Sequence, residues 1–438
     1  APDVTPFRGR IKPLRATRLA VWWAPVRLAR ALFVIPLAAT IQVVPALAQR
    51  HDGAAAADTV QQQGPTIRVG HGDGGWEIET SDGSYLMQVQ LRLQLRYAYP
   101  RDTDPITFDD FSDGDQYLFK VNRSRLKIAG NAFKPWLKYY MEYELGGNAL
   151  MDFRLMVEKW PALQLKVGQW KVEYNRERII AWDNQQMLER SILNRPFTID
   201  RQQGVSLYGH LKGPGVADFN YWASVFTGTG RGARENDDDQ LMYVARVQWN
   251  VFGRSVPFSG SDLEYQEQPA AVLAFAAATN RSPYTRFATA GPGQLVAFEE
   301  EDENPIPGHY RVNQWMQETA FQYRGFAWQQ EFHRKEVNDK INLTTTTLVG
   351  AYFQAGYFFH YLWPAFPKPL ELAARIAYYD PDIDRSDDLL REYSFAGTWF
   401  LNGHLNRLTA DLTFFRFDFP ELADQDQWRF RIQWDIST

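Results

Sequence analysis

The sequence predicts an all-β fold, a transmembrane antiparallel β-barrel of about 16 strands with an inward-folded third external loop. Three observations carry that expectation. From Tyr85 to Tyr99 the chain alternates, with Tyr85, Met87, Val89, Leu91, Leu93, Leu95, Tyr97 and Tyr99 on one face. Gln88, Gln90, Arg92, Gln94 and Arg96 fall on the other, and a period of two is that of an extended strand. Its apolar face is aromatic at both ends, the girdle pattern of a strand crossing a bilayer obliquely. Composition is the second observation: aromatics make up 15% of 438 residues, while mean hydropathy is −0.42. That pairing suits alternating strands with aromatic belts better than one buried core. Third, the gaps between strands alternate in length.

The first 48 residues read as a cleaved export signal. Arg8, Arg10, Lys12, Arg15, Arg18, Arg27 and Arg30 precede an apolar run from Ala31 to Val44, and Pro45-Ala46-Leu47-Ala48 supplies small residues before a cut at Gln49. The segment holds seven basic residues and one acid, so removing it takes the net charge from −5 to −11. Residues 49–75, rich in Ala, Gln and Gly, are expected to form a flexible periplasmic lead-in. The barrel is expected over 76–438.

The second strand is expected at about 116–130. Arg123, Arg125 and Lys127 share one parity there with Phe119 and Val121, which requires a bulge near Asn122 if the cations face a wet lumen. The third strand (135–145) sets Leu137, Tyr139, Met141, Tyr143 and Leu145 outward against Lys138, Tyr140, Glu142 and Glu144. The fourth (151–160) sets Met151, Phe153, Leu155 and Val157 against Asp152, Arg154 and Glu158. Further strands begin near 204, 217, 239, 269, 310, 326, 345, 369, 390, 405 and 426. Gly213-Pro214-Gly215, Arg324-Gly325 and Asn402-Gly403 are hairpin-turn chemistry. Long links are expected near 100–115, 172–203, 229–238, 280–309, 336–344 and 380–389, with 253–268 and 361–367 as exceptions on the short side. Short turns on one rim and long loops on the other is the asymmetry of an outer-membrane barrel, with the long loops outside the cell. Closure follows because an open sheet in lipid would leave edge N–H and C=O groups unpaired.

The chain has no cysteine, so thiolate metal sites, disulfides and a Cys nucleophile are excluded. Gly-x-Ser-x-Gly, a P-loop and His-Glu-x-x-His are absent, and the seven histidines are scattered. The sequence therefore predicts neither an enzyme nor a metal or cofactor site, and no nucleic-acid partner. Its informative charge is basic and inward: Arg92 and Arg96, then Arg123, Arg125 and Lys127. A column of such groups can hand an anion from one donor to the next. Alternatively, the arginines pair with Glu142, Glu144, Asp152 and Glu158 and the field cancels.

Segment 172–203 is apolar in patches (Ile179-Ile180-Ala181-Trp182, Met187-Leu188, Ile192-Leu193) and carries Arg176, Arg178, Arg190, Arg195 and Arg201. In water it would expose too much apolar surface. It is expected to fold into the barrel, narrow the pore and place Arg176, Arg178, Arg190 and Arg201 at the constriction. The alternative is an external loop packing on a neighbouring subunit.

Leu165-Lys166-Val167-Gly168-Gln169-Trp170-Lys171, Met187-Leu188-Glu189-Arg190-Ser191, Asp200-Arg201-Gln202-Gln203-Gly204-Val205, Asn122-Arg123-Ser124-Arg125-Leu126 and Leu370-Glu371-Leu372-Ala373-Ala374-Arg375 together resemble the phosphate-selective outer-membrane porins of the O and P type. The resemblance spans 76–438. It implies a sixteen-stranded trimeric porin with an arginine ladder drawing anions inward. Arg123 and Arg125 match the second-strand motif, Lys171 the glycine–glutamine motif, and Glu189, Arg190 and Arg201 the third-loop motifs. Ser124 departs from the adjacent arginines usual there. The expected function is passive diffusion of small anions, phosphate or polyphosphate, across the bacterial outer membrane, with lipid and lipopolysaccharide as surroundings. The alternatives are a general or cation-preferring porin, and a barrel with a binding or structural role.

Overall fold

A computed structural model describes residues 65–438 except 73, 112–113, 289–290, 302–304 and 420–421. The expected signal segment and the lead-in through residue 64 lie outside the described residues. A hairpin of β1 (Ile67–Gly72) and β2 (Gly75–Thr80) comes first, so residues 67–72, expected as flexible lead-in, are strand. The next sixteen strands form the barrel. They are β3 (Leu86–Tyr99), β4 (Leu118–Asn131), β5 (Leu137–Glu144), β6 (Ala149–Trp160), β7 (Leu163–Lys171), β8 (Arg201–Lys212), β9 (Asp218–Phe226) and β10 (Met242–Asn250). The circuit continues through β11 (Ala270–Ser282), β12 (Tyr310–Tyr323), β13 (Phe326–Asp339), β14 (Thr345–Tyr357), β15 (Leu370–Asp380), β16 (Leu390–Asn402), β17 (Asn406–Phe417) and β18 (Gln425–Ser437). Each pairs antiparallel with the next, and β18 returns to β3 through Phe430↔Tyr99 to Ser437↔Arg92. Closure satisfies the edges that lipid would leave unpaired. Below that seam the first residues of β3 pair instead with β2, Trp76 opposite Val89 and Ile78 opposite Met87.

The alternation sorts every strand. On β18, Arg429, Arg431, Gln433 and Asp435 are buried inward, whereas Trp428 and Trp434 are exposed outward. The bulge required on β4 is present: Gln94 pairs with Arg123 but Leu95 pairs with Val121, leaving Asn122 as the extra residue. It turns Phe119 and Val121 out to lipid while Arg123 and Arg125 stay inside. A second bulge, at the β5–β6 pairing, shifts register between Glu142 and Tyr143. It turns Met151, expected outward, to a buried position beside Asp152. Arg324-Gly325 makes the expected two-residue turn, with φ of 49° and 80°.

Loop lengths follow the expected asymmetry with one correction. The link near 336–344 shrinks to 340–344 because β13 and β14 continue pairing to Asn338↔Thr345. The link at 251–269, one of the expected long exceptions on the short-turn rim, folds into the barrel, as its buried Val256, Ser261 and Asp262 require. Loop 172–200 also folds inward. Ile180, Met187, Leu188, Leu193 and Phe197 are buried, each contributing roughly 1.5–3 kcal/mol relative to exposure. Leu193 and Phe197 join a core inside the barrel with Tyr174, Phe287, Met316, Tyr352 and Phe417, and Met187 clusters with Ala373 and Ala396.

Candidate functional site

The inward loop is held chiefly by side chains of β12–β17. The Arg176 N–H donates to Glu318 Oε2 (3.1 Å), and the Glu177 N–H to Glu331 Oε1 (2.7 Å). Lys335 Nζ donates to Pro196 O (2.8 Å), and the Ile192 N–H to Glu392 Oε2 (2.8 Å). Arg375 Nη1 reaches Glu189 O (2.8 Å), while Arg407 donates to Gln185 O (2.5 Å) and Trp182 O (3.0 Å). Alternation aims all these side chains at the loop, and their partners are backbone groups an irregular segment must satisfy when buried. Inside the loop, Glu177 accepts from the Ser191 N–H (2.6 Å) and hydroxyl (2.9 Å), tying its two halves. Burial pushes the Glu177 carboxyl up to about 7, against the pull of Arg375 and with Glu331 adding to the rise.

Across the lumen the loop presents two acids to the β3–β4 wall. Asp183 pairs with Arg92. Glu189 accepts from Arg96 (2.5 Å) and Arg123 (2.8 Å). Burial alone would raise the Glu189 carboxyl, but Arg123 and Arg96 hold it well below the usual carboxylate range. Arg123 also lies 6.0 Å from the Trp182 ring.

The ten residues expected at the filter separate into three groups. Arg92, Arg96, Arg123, Arg125, Arg178 and Arg201 face the lumen but are paired. Arg125 bonds Glu144 (2.7 Å) and Glu142, Arg178 bonds Asp200 (2.7 Å), and Arg201 bonds Asp152 and reaches Glu142 at 3.5 Å. Arg176 is elsewhere: it is wholly buried against Glu318, Phe258 and the carbonyls of Val256 and Pro257. It belongs to the packed interior and not to a passage. Lys127, Lys171 and Arg190 remain. Among the described residues Arg190 donates only to the carbonyls of Glu177 (2.9 Å), Ile180 (2.8 Å) and Arg178 (3.5 Å). Lys127 and Lys171 have neither hydrogen bond nor ion pair to a described residue, and both lie in the electrostatic neighbourhood of Glu142.

Partly exposed inward side chains gather on one wall: Arg92 at 15%, Arg123 at 20%, Glu144 at 15%, Arg154 at 24% and Glu158 at 22%. Arg154 stacks over Tyr140 (4.4 Å) and bonds Asp152 (3.1 Å). One further cation joins this wall from a loop. Gly230 and Gly232 donate their N–H groups to Gln202 (2.8 Å) and Gln169 (2.7 Å), bringing Arg231 to Met151 Sδ (2.7 Å). No periodicity marks a residue in such a loop, so the alternation that found the strand cations could not find Arg231. The arrangement offers a polar passage beside β3–β8 with mostly compensated charge.

Comparison with known proteins agrees with this geometry. The family model for phosphate-selective porin O and P matches residues 89–411. An anion-selective porin from Comamonas acidovorans superposes with a TM-score of 0.55 at 10% identity, covering 81% of this chain and 100% of that one. The outer membrane channel DcaP of Acinetobacter baumannii gives 0.52 at 10% identity, covering 82% and 99%. Salmonella typhi OmpF, in complex with daunomycin, gives 0.52 at 9% identity, covering 83% and 100%. These similarities carry the fold. No curated relative matches the chain.

Proposed function

Because the chain belongs to the phosphate-selective porin O and P family, we propose that its channel passes small hydrophilic anions, with phosphate among them, by passive diffusion. The observation that supports anion preference is the set Lys127, Lys171 and Arg231, basic groups that pair with no carboxylate among the described residues, on a wall where Arg125 and Arg201 are neutralised. Each such donor can replace part of an anion's hydration shell and still release it, because the guanidinium forks of Arg125 and Arg201 are held by Glu142, Glu144 and Asp152. The lumen thus works less as an arginine ladder than as a compensated wall with isolated lysines.

A second reading draws on the same wall. Arg125 is paired with Glu142 and Glu144, and Arg201 with Asp152, which favours a channel with mixed or cation preference. The reversal potential across a chloride gradient in a planar bilayer decides between them. A chloride-directed potential reduced by Lys127→Gln/Lys171→Gln, with current blocked by added phosphate, is expected. A cation-directed potential leaves the second reading.

The same proposal takes residues 1–48 as the export signal and the assembly as a homotrimer, a form recorded for OmpT of Vibrio cholerae. Outward Leu91, Leu95, Phe119 and Val121 are exposed and suit lipid. Acids of the long loops, among them Asp384 and Asp387, suit cation-bridged lipopolysaccharide.

A further inference from the structure

The segment 251–269 belongs to the short-turn rim yet meets the inward loop inside the barrel. The Gly260 N–H donates to Asn184 O (2.8 Å). Glu371 on β15 bridges the two segments, accepting from Ser261 Oγ (2.5 Å) and from Gln186 Nε2 (2.8 Å). His404, in the turn between β16 and β17, joins them again: Nε2 lies 3.2 Å from Ser259 Oγ and Nδ1 lies 3.2 Å from Asp183 O. Burial pushes the His404 imidazole down to about 3, with Arg407 and Arg92 adding to the fall, so it is neutral and can donate from one nitrogen while accepting at the other. Gln322 on β12 and Asp262 fix the segment in turn, through Ser259 O (3.1 Å) and the Gly325 N–H (2.7 Å).

The contact has no slack. A Cβ at residue 260 would lie 2.5 Å from the Gln186 backbone nitrogen and 2.8 Å from its Cβ, so glycine is required by close approach of two backbones. The residues so contacted, Asn184 and Gln186, lie at the tip of the inward loop. Asp183 from that tip pairs with Arg92 across the lumen.

We propose that residues 259–261 are positioning residues for the channel: they wedge the loop tip from the short-turn side and so hold the Asp183–Arg92 contact that bounds the passage beside β3–β8. The wedge acts through the tip and touches no free cation, so it governs the size and steadiness of the current and not its sign. It rests on the channel reading but not on anion preference.

The test is single-channel recording of the full chain in planar bilayers with potassium chloride, on Gly260→Val and on Ser259→Ala/Ser261→Ala. Heat-modifiable gel migration verifies that each barrel is folded. Gly260→Val is expected to shift the unitary conductance and split it into sublevels. The double variant, which removes contacts without adding bulk, is expected to show sublevels around the original conductance. One steady wild-type level in the folded double variant overturns the proposal, including where Gly260→Val fails to fold. Reversal potential read from the same membranes judges anion preference separately, since the wedge predicts no change in it.

Discussion

The two walls of the lumen use the same residue types differently. On β10–β18, inward charges are sealed: Arg246 bonds Glu318 (2.8 Å), Arg375 bonds Glu392 (2.5 Å) and Arg431 bonds Asp411 (2.5 Å), all with side chains no more than 2% exposed. On β3–β8, Arg92, Arg123 and Arg154 are paired too, but they keep water contact. The difference arises from the inward loop, which leans on the first wall and meets β3 and β4 of the second through Asp183 and Glu189. A buried pair is costly to break, because the surviving partner is left uncompensated, whereas a wet pair is cheap. The sealed wall is therefore structural, and the wet wall is where charge can act on a solute.

The largest test of this contrast is Arg375→Ala. It strands Glu392 and removes a donor to Glu189 O, so a loss of about 3–5 kcal/mol is expected, read as a lower thermal unfolding midpoint. Arg123→Ala on the wet wall should cost about 1 kcal/mol or less; equal losses would erase the distinction.

Next comes charge. Lys127→Gln and Lys171→Gln each remove an interaction of about 1 kcal/mol with a passing anion, about fivefold in local anion concentration. The reversal potential should move toward cation preference in both, while stability stays near wild type.

Acidity sharpens the comparison within the loop. The Glu177 carboxyl titrates near 7 when folded, above its ordinary value near 4.5. The folded state therefore binds this proton more tightly than the unfolded chain does. Its stabilisation is full below about pH 4.5 and is lost as pH rises through 7. Open-channel noise should grow between pH 5 and 8, and Glu177→Gln should flatten that dependence. The smallest effect is expected at the exposed Arg416–Asp424 pair, 3.4 Å apart. There Arg416→Ala should change stability by no more than about 1 kcal/mol.

Much of this was legible in the residues. Parity alone placed Arg92, Arg96, Glu142 and Asp152 inside, and the clash of Phe119 with Arg123 required the bulge that Asn122 supplies. Apolar patches at Ile180, Met187 and Leu193 pointed to a loop folded inward or packed on a neighbouring subunit, and burial of all three shows the first. Local patterns did not reveal Met151 turning inward, because a bulge shifts one residue without changing its type. Nor did they reveal Arg176 leaving the passage, since an arginine inside a folded loop is aimed by the loop's path.

What the sequence by itself determined is the barrel, its approximate strand number and the two faces of each strand. Period-two alternation is local, and closure follows from the cost of unpaired backbone in lipid. Only the tertiary structure decided which inward basic residues are neutralised and which are left without an ion pair to a described residue. Arg125 finds Glu142 and Glu144 through the register of β4 on β5. Lys127, paired in that same register opposite Glu142, is left without a bond because Arg125, Arg201 and Tyr140 already occupy that carboxylate.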